Sequence, residues 1–231
     1  MILSILFYIF FLVYTFVFFA AMCVVFVLTA WWDTGRVAIY QMTRLLARGY
    51  FWLTPGWKVE IAGRENIRPG TAYVIVANHR SMLDIPLLYF LPMRSFKWVS
   101  KREVYRWPLA GWVLWLQGGI AIRRGSAASA RQMIEQGEAW LGRGVSVAVF
   151  PEGSRSKTDE LGKFRDGAFV MARTAGVEVL PVVLSGTGPA LRGRRINFRN
   201  RFKISILPPA VAEQDVVRSS MEQARKDKND R

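Results

Sequence analysis

Ala72-Tyr73-Val74-Ile75-Val76-Ala77-Asn78-His79-Arg80-Ser81-Met82-Leu83-Asp84-Ile85-Pro86 decides the fold. Its first six residues are an apolar run that reads as a buried strand. A polar turn from Asn78 to Asp84 follows. Ile85 and Pro86 then lead into Leu87-Leu88-Tyr89-Phe90-Leu91, which reads as an apolar helix. Proline is tolerated in a first helical turn, so Asp84 is placed near the N-cap. His79 is the only histidine in the chain. Any reaction that needs an imidazole base near neutral pH must use it. Asp84, five residues on, can fold back to hydrogen-bond one ring nitrogen. Such a bond fixes the tautomer and leaves the other nitrogen to take a proton. Two blander readings stand beside this one. A histidine after a strand is often a satisfied structural residue, and Ser81-x-x-Asp84 also matches a capping box, which needs no catalysis.

Toward the N-terminus, residues 1–32 carry no charged side chain, and Asp33 is the first. As one helix this run is roughly 45 Å long, against ~30 Å for a hydrocarbon core. It is too long for a signal peptide, lacks a basic n-region and shows no convincing cleavage site. It is read as a retained membrane anchor, either a tilted or broken span or a helix pair lying in one leaflet. Trp31 and Trp32 suit the membrane–water boundary. Arg36, Arg44 and Arg48 follow the run, so the positive-inside rule puts the remaining chain on the cytoplasmic side of an inner membrane. Val37, Ile39, Tyr40, Leu45, Leu46, Tyr50 and Leu53 recur at helical spacing, giving a second, amphipathic helix against the membrane or the domain; an ordinary core helix fits as well. Pro55-Gly56 ends it.

Toward the C-terminus, strands are expected at Trp57–Ile61, Phe96–Val99, Ile120–Ile122, Val145–Phe150, Val179–Leu184 and Lys203–Leu207. Helices are expected at Ser126–Leu141, with Ser126 as N-cap, and at Phe164–Ala175. Strands alternating with helices give an α/β domain with a mixed, mainly parallel sheet flanked by helices, behind an N-terminal membrane-anchoring helix or helix pair. Three parts follow: 1–54 as anchor and amphipathic helix, 55–210 as the α/β domain, and 211–231 as a charged helix fraying into a tail. Gly186-x-Gly188 lacks a third glycine and opens no convincing helix, so a dinucleotide site is discounted.

Net charge is +15. An anionic partner is therefore expected: a phosphate-bearing small molecule, an anionic membrane or nucleic acid. One cysteine, Cys23, excludes a disulfide within the chain. One cysteine and one histidine exclude a zinc site of the usual kind. Phe150-Pro151-Glu152-Gly153-Ser154-Arg155 is an apolar strand running into a glycine-containing loop with an arginine. Backbone N–H groups and a guanidinium there can share one phosphate.

Four blocks in order carry a resemblance. They are Asn78-His79 to Asp84, Gly118 to Arg124, Phe150 to Arg155, and Leu180 to Gly186. Together they resemble the glycerophospholipid acyltransferase family, in particular its bacterial lysophosphatidic acid acyltransferases, over about residues 57 to 210. The resemblance implies transfer of a fatty acyl group from acyl-CoA or acyl carrier protein to the 2-hydroxyl of lysophosphatidic acid, giving phosphatidic acid. It implies His79 as general base and Asp84 as its orienter. It assigns Arg124, Glu152 and Arg155 to the glycerol phosphate, with Gly153 in that loop and Lys101 where the family often has a basic residue. Arg123 competes with Arg124 for its place; spacing favours Arg124. An activated thioester needs neither a metal nor a further cofactor, and no nucleic acid partner is expected. Leu87, Leu88, Leu91, Trp112 and Trp115 are candidates for an acyl-chain tunnel. The basic segment Arg192 to Lys203 either rests on anionic headgroups or is a solvated loop. Membrane lipids are thus the expected surroundings and partners. Another lysolipid acceptor, such as a lyso-ornithine lipid, fits the same blocks. A non-catalytic membrane lipid-binding protein would leave the His79–Asp84 pair without a purpose, and a hydrolase lacks a Gly-x-Ser-x-Gly elbow.

Overall fold

The computed structural model describes residues 2–156, 158, 160–192 and 195–229. In chain order the helices are α1 (Ile2–Thr29), α2 (Val37–Trp52), α3 (Asp84–Leu88), α4 (Ala110–Leu116), α5 (Ala127–Leu141), α6 (Gly167–Thr174), α7 (Thr187–Ala190) and α8 (Gln214–Asn229). The strands are β1 (Trp57–Ala62), β2 (Val74–Ala77), β3 (Phe96–Lys101), β4 (Ile120–Ile122), β5 (Ser146–Val149), β6 (Val179–Ser185), the short pair β7 (Leu191–Arg192) and β8 (Arg195–Ile196), and β9 (Asn200–Ile206). Seven of them form one sheet in the order β1-β9-β6-β2-β5-β3-β4. From β6 to β4 all neighbours are parallel, while β9 runs antiparallel to β6 and β1 parallel to β9. The mixed, mainly parallel α/β fold expected from the sequence is the fold observed.

β2 sits at the centre, with Val74 opposite Val147 of β5 and Val76 opposite Pro181 of β6. All four of its residues are buried. A parallel strand covered on both faces reads as an unbroken apolar run, because neither side may be polar. One face packs Tyr73, Ile75, Ala148, Leu180 and Phe202 against α2 and the α3 region. The other packs Val74, Val76, Val147 and Val183 against α5, α6 and α8. The five parallel strands all end on one edge of the sheet. That edge therefore gathers the loops after β2, β3, β4 and β5, where open α/β sheets place their ligands.

α1 is one unbroken helix, and its stretch Ser4–Thr29 is long and apolar enough to cross a membrane. It packs along the domain over its whole length. Phe7 meets Trp57 and Phe198, Phe11 meets Tyr50, Phe19 meets Trp112, and Phe26 meets Trp115, with ring centroids 4.5–5.9 Å apart. The opposite side of α1, including Leu12, Phe16 and Val27, is bare. α2 starts under Asp33, whose two carboxylate oxygens accept from the N–H groups of Val37 and Ala38 at 2.9 and 2.8 Å.

Several details differ from the sequence reading. The apolar helix expected after Asp84 is the five-residue α3, shorter than the run to Leu91, with Asp84 as its first residue beside the N-cap. α7 does open behind Gly186 (φ 84°), although it is only one turn. β9 begins at Asn200, so the C-terminal part of the basic segment is a sheet strand with Phe202 fully buried. Gly193 and Arg194 of that segment lie outside the described residues, as do Asp230 and Arg231. α8 is docked on the sheet through Val217 and Met221, both fully buried.

Candidate active site

The chain leaves β2 through Asn78, which is buried. Its side chain mimics one more ladder pair: the amide donates to Leu184 O at 2.9 Å and its oxygen accepts from Leu184 N–H at 2.7 Å. This anchors the residue before His79 to β6. The turn then curls so that Asp84 comes back beside His79. His79 Nδ1 and Asp84 Oδ2 are 2.9 Å apart. The same oxygen accepts from the N–H groups of Arg80 (2.6 Å) and Ser81 (2.7 Å). Asp84 is fully buried, and three donors converge on one of its oxygens. A buried carboxylate is tolerated only when it is bonded this way. With Nδ1 committed to Asp84, Nε2 is the ring nitrogen left for a substrate. The imidazole lies flat on Phe150, centroids 4.0 Å apart and planes within 9°, and its side chain is only 14% exposed.

The loop after β5 meets this turn from the neighbouring strand. Glu152 Oε1 accepts the backbone N–H of His79 at 2.9 Å, and Oε2 accepts that of Gly162 at 2.8 Å. Ser156 N–H donates to His79 O at 2.7 Å. Both oxygens of Glu152 are thus occupied by backbone, and the residue ties the loop after β2 to two points of the loop after β5. Gly153 has φ 71°, and a Cβ there would sit 2.6 Å from Arg165 Nε. Only glycine meets both conditions without strain.

A cavity of about 1000 Å³ opens at this edge. His79, Lys101, Arg124, Gly153 and Arg155 all line it, as do Arg123 and Arg165. Five cationic side chains therefore share one chamber with the imidazole. Lys101 lies 3.4 Å from Glu103, both well exposed. The cavity then runs between α1 and α2, where its wall becomes Phe7, Phe11, Leu46, Ala47 and Tyr50. Of the expected tunnel residues, none lines it. Leu87, Leu88 and Leu91 are sealed in the core, and Trp112 and Trp115 stand half exposed against α1. Their place is taken by residues of α1 and α2, which are remote in sequence from every motif. Arg165, and Phe150 beyond its place at the head of the third block, carry no role in the sequence reading. Arg165 sits just before α6, and its N–H donates to Pro151 O at 2.9 Å, which brings it under the Glu152 loop. Among the described residues no cluster of histidine, cysteine and carboxylates could hold a metal ion.

A family model described as Acyltransferase matches residues 58–185. A 1-acyl-sn-glycerol-3-phosphate acyltransferase of Chlamydomonas reinhardtii is 43% identical over 135 residues, which is 58% of this chain and 40% of that protein. Another of the same name, from Pseudomonas aeruginosa, is 38% identical over 137 residues, 57% of this chain and 52% of its own. The chain thus spans about half or less of the length of these curated relatives. The crystal structure of the 1-acyl-sn-glycerophosphate acyltransferase PlsC from Thermotoga maritima superposes with a TM-score of 0.67, covering 95% of each chain at 24% identity. At that identity the likeness speaks for the fold.

Proposed function

Since this chain belongs to the acyltransferase family, we propose that it transfers a fatty acyl group from a thioester to the free hydroxyl of lysophosphatidic acid, giving phosphatidic acid. One observation carries the reading: the His79–Asp84 pair and the cations Lys101, Arg124 and Arg155 line a single cavity that continues as an apolar channel. Nε2 of His79 accepts the proton of the acceptor hydroxyl as its oxygen bonds to the thioester carbon. Collapse of the tetrahedral adduct breaks the carbon–sulfur bond, and the leaving thiolate takes that proton. A base so positioned contributes about 10²–10⁴-fold. Arg124, Arg155 and Lys101 hold the acceptor's phosphate and so orient its hydroxyl. Glu152 acts differently from the implied phosphate ligand: it is a positioning residue that fixes the backbone of His79. The channel between α1 and α2 takes an acyl chain.

The reading is tested with detergent-purified protein, lysophosphatidic acid and labelled acyl-CoA, then acyl carrier protein thioester, with His79→Ala alongside. Phosphatidic acid from the wild type alone is expected. Equal product from His79→Ala refutes the base assignment. Arg155→Ala is expected to raise the KM for lysophosphatidic acid by more than tenfold, about 1.4 kcal/mol, in line with a charged hydrogen bond. An acceptor without a phosphomonoester, such as a lyso-ornithine lipid, would leave that variant nearly unaffected.

The same reading places the protein on an inner membrane. α1 is apolar enough to cross it, yet one side of α1 is committed to the domain from Ser4 to Phe26. A helix packed lengthwise on one side against a folded domain lies in one leaflet, because crossing would carry the domain into hydrocarbon. Spin labels at Leu12 and Val27 are expected at similar shallow depths. A depth difference of a full hydrocarbon core, ~30 Å, between labels nearer the two ends would overturn this.

A further inference from the structure

Tyr40, Arg44 and Arg48 follow one another on α2 at four-residue steps and so form one stripe. It is not the stripe that walls the cavity, which is made by Thr43, Leu46, Ala47 and Tyr50. Tyr40 is fully buried, and its hydroxyl has no hydrogen-bond partner. The Nε atoms of Arg44 and Arg48 are buried and unpartnered as well. Each guanidinium makes one long hydrogen bond: Arg44 to Gln41 Oε1 at 3.3 Å and Arg48 to Phe90 O at 3.4 Å, with Arg48 also 5.3 Å from the centroid of the Phe90 ring. Among the described residues neither forms an ion pair. The formal charges acting on Arg48 are those of Arg44 and Arg64, both of its own sign, and burial pushes its pKa down. Like charges one turn apart repel, and withdrawing them from water costs more still. An anion between them relieves both.

The next residues round the helix name the setting. Leu45 and Trp52 are 54% and 62% exposed. On its other flank α2 packs on α1, Thr43 against Met22 and Tyr50 against Thr15. Going round α2, a buried tyrosine gives way to arginines, then to bare apolar residues, then to the membrane helix. That is the polarity profile of a helix at a bilayer's headgroup layer.

We propose that Arg44 and Arg48 hold the phosphate of an anionic phospholipid headgroup, with Leu45 and Trp52 in the upper acyl region of the same leaflet. This site lies on the outer side of the wall whose inner side is the reaction cavity. It goes beyond the proposed reaction and rests only on the anchoring of α1. A lipid held there fixes the roll of α2 against the bilayer, and with it the channel between α1 and α2.

Vesicle flotation of the full chain tests it, using phosphatidylcholine with and without a minority of phosphatidylglycerol. Binding to phosphatidylcholine alone reports α1; its absence would strike the anchor reading. The site is judged on the increment from phosphatidylglycerol. That increment is expected to fall about tenfold in Arg44→Gln/Arg48→Gln and to survive in the charge-matched Arg131→Gln/Arg143→Gln, two exposed arginines on and just after α5. Equal losses in the two variants, or none in the first, overturn the site. Inorganic phosphate at constant ionic strength is expected to leave the increment unchanged; its removal would mean a free-anion site instead. Should the glutamine pair fail to fold, Arg44→Lys/Arg48→Lys keeps the charges and loses the planar fork. A weaker increment there supports phosphate recognition, and an unchanged one refutes it.

Discussion

Asp84 is held by three donors on one oxygen, while its other oxygen, Oδ1, has no partner. That asymmetry makes Asp84→Asn informative. The amide oxygen can replace Oδ2, and the NH₂ can occupy the unpartnered side. The variant is expected to fold but to lose activity by about 10²–10⁴-fold, because a neutral partner no longer stabilises the imidazolium. Wild-type turnover with Asp84→Asn would reduce Asp84 to a turn-former. Gly153→Ala meets two obstacles, a left-handed φ and the guanidinium of Arg165. It is expected to cost about 1–2 kcal/mol, read as a few degrees in Tm, with a larger fall in activity as the Glu152 loop shifts. The His79–Asp84 contact was legible in the sequence because its partners are five residues apart. The bond from His79 N–H to Glu152 was not, since it spans 73 positions and only strand order brings β2 beside β5.

At the scale of elements, the alternation of strands and helices was readable because central parallel strands must be apolar throughout. The charged helix expected over 211–231 is α8, but the charged residues that dominate it hide its docking on the sheet. The signal was Val217 and Met221, four residues apart, which make a narrow stripe that only a docked helix needs. Between elements the least legible device is Lys97. It is fully buried on β3 and donates to Gly35 O before α2 and to Gln117 O after α4, both at 2.7 Å, with its Nζ 4.4 Å from the Trp140 ring centroid of α5. Burial pushes its pKa down to about 8; nearby Arg36 adds to this and Asp33 opposes it. A lysine with a lowered folded-state pKa binds fewer protons than its unfolded counterpart between pH 8 and its ordinary 10.5, so stability rises with pH across that window. Relative to Lys97→Met, wild-type stability is expected to gain up to about 3 kcal/mol from pH 8 to 10.5, measured by denaturant unfolding in detergent. A flat difference would mean that Lys97 keeps its ordinary pKa in the folded protein. Gly49→Ala probes the α1–α2 seam. A Cβ there collides with the Tyr14 hydroxyl, and loosening of the helix pair is expected as faster proteolysis of α1.

For the whole molecule, the apolar N-terminal run and the α/β domain are legible in the sequence but not their relation. Rings spaced at one turn along α1 meet partners as far apart in the chain as Trp57, Trp115 and Phe198, and no local pattern announces that. Their meeting also fixes where the cavity leads. Its walls pass from His79 to Phe7 and Phe11 of the helix whose other side is bare. On the proposed reaction, an acceptor enters sideways from the leaflet and its product returns there, with no passage through water. The quantity that governs rate is then the acceptor's mole fraction in the membrane plane, not its bulk molarity. Diluting the acceptor with inert lipid at fixed bulk concentration should slow the enzyme in proportion, whereas adding buffer at fixed mole fraction should not. Such an enzyme senses the composition of the sheet of lipid it helps to build.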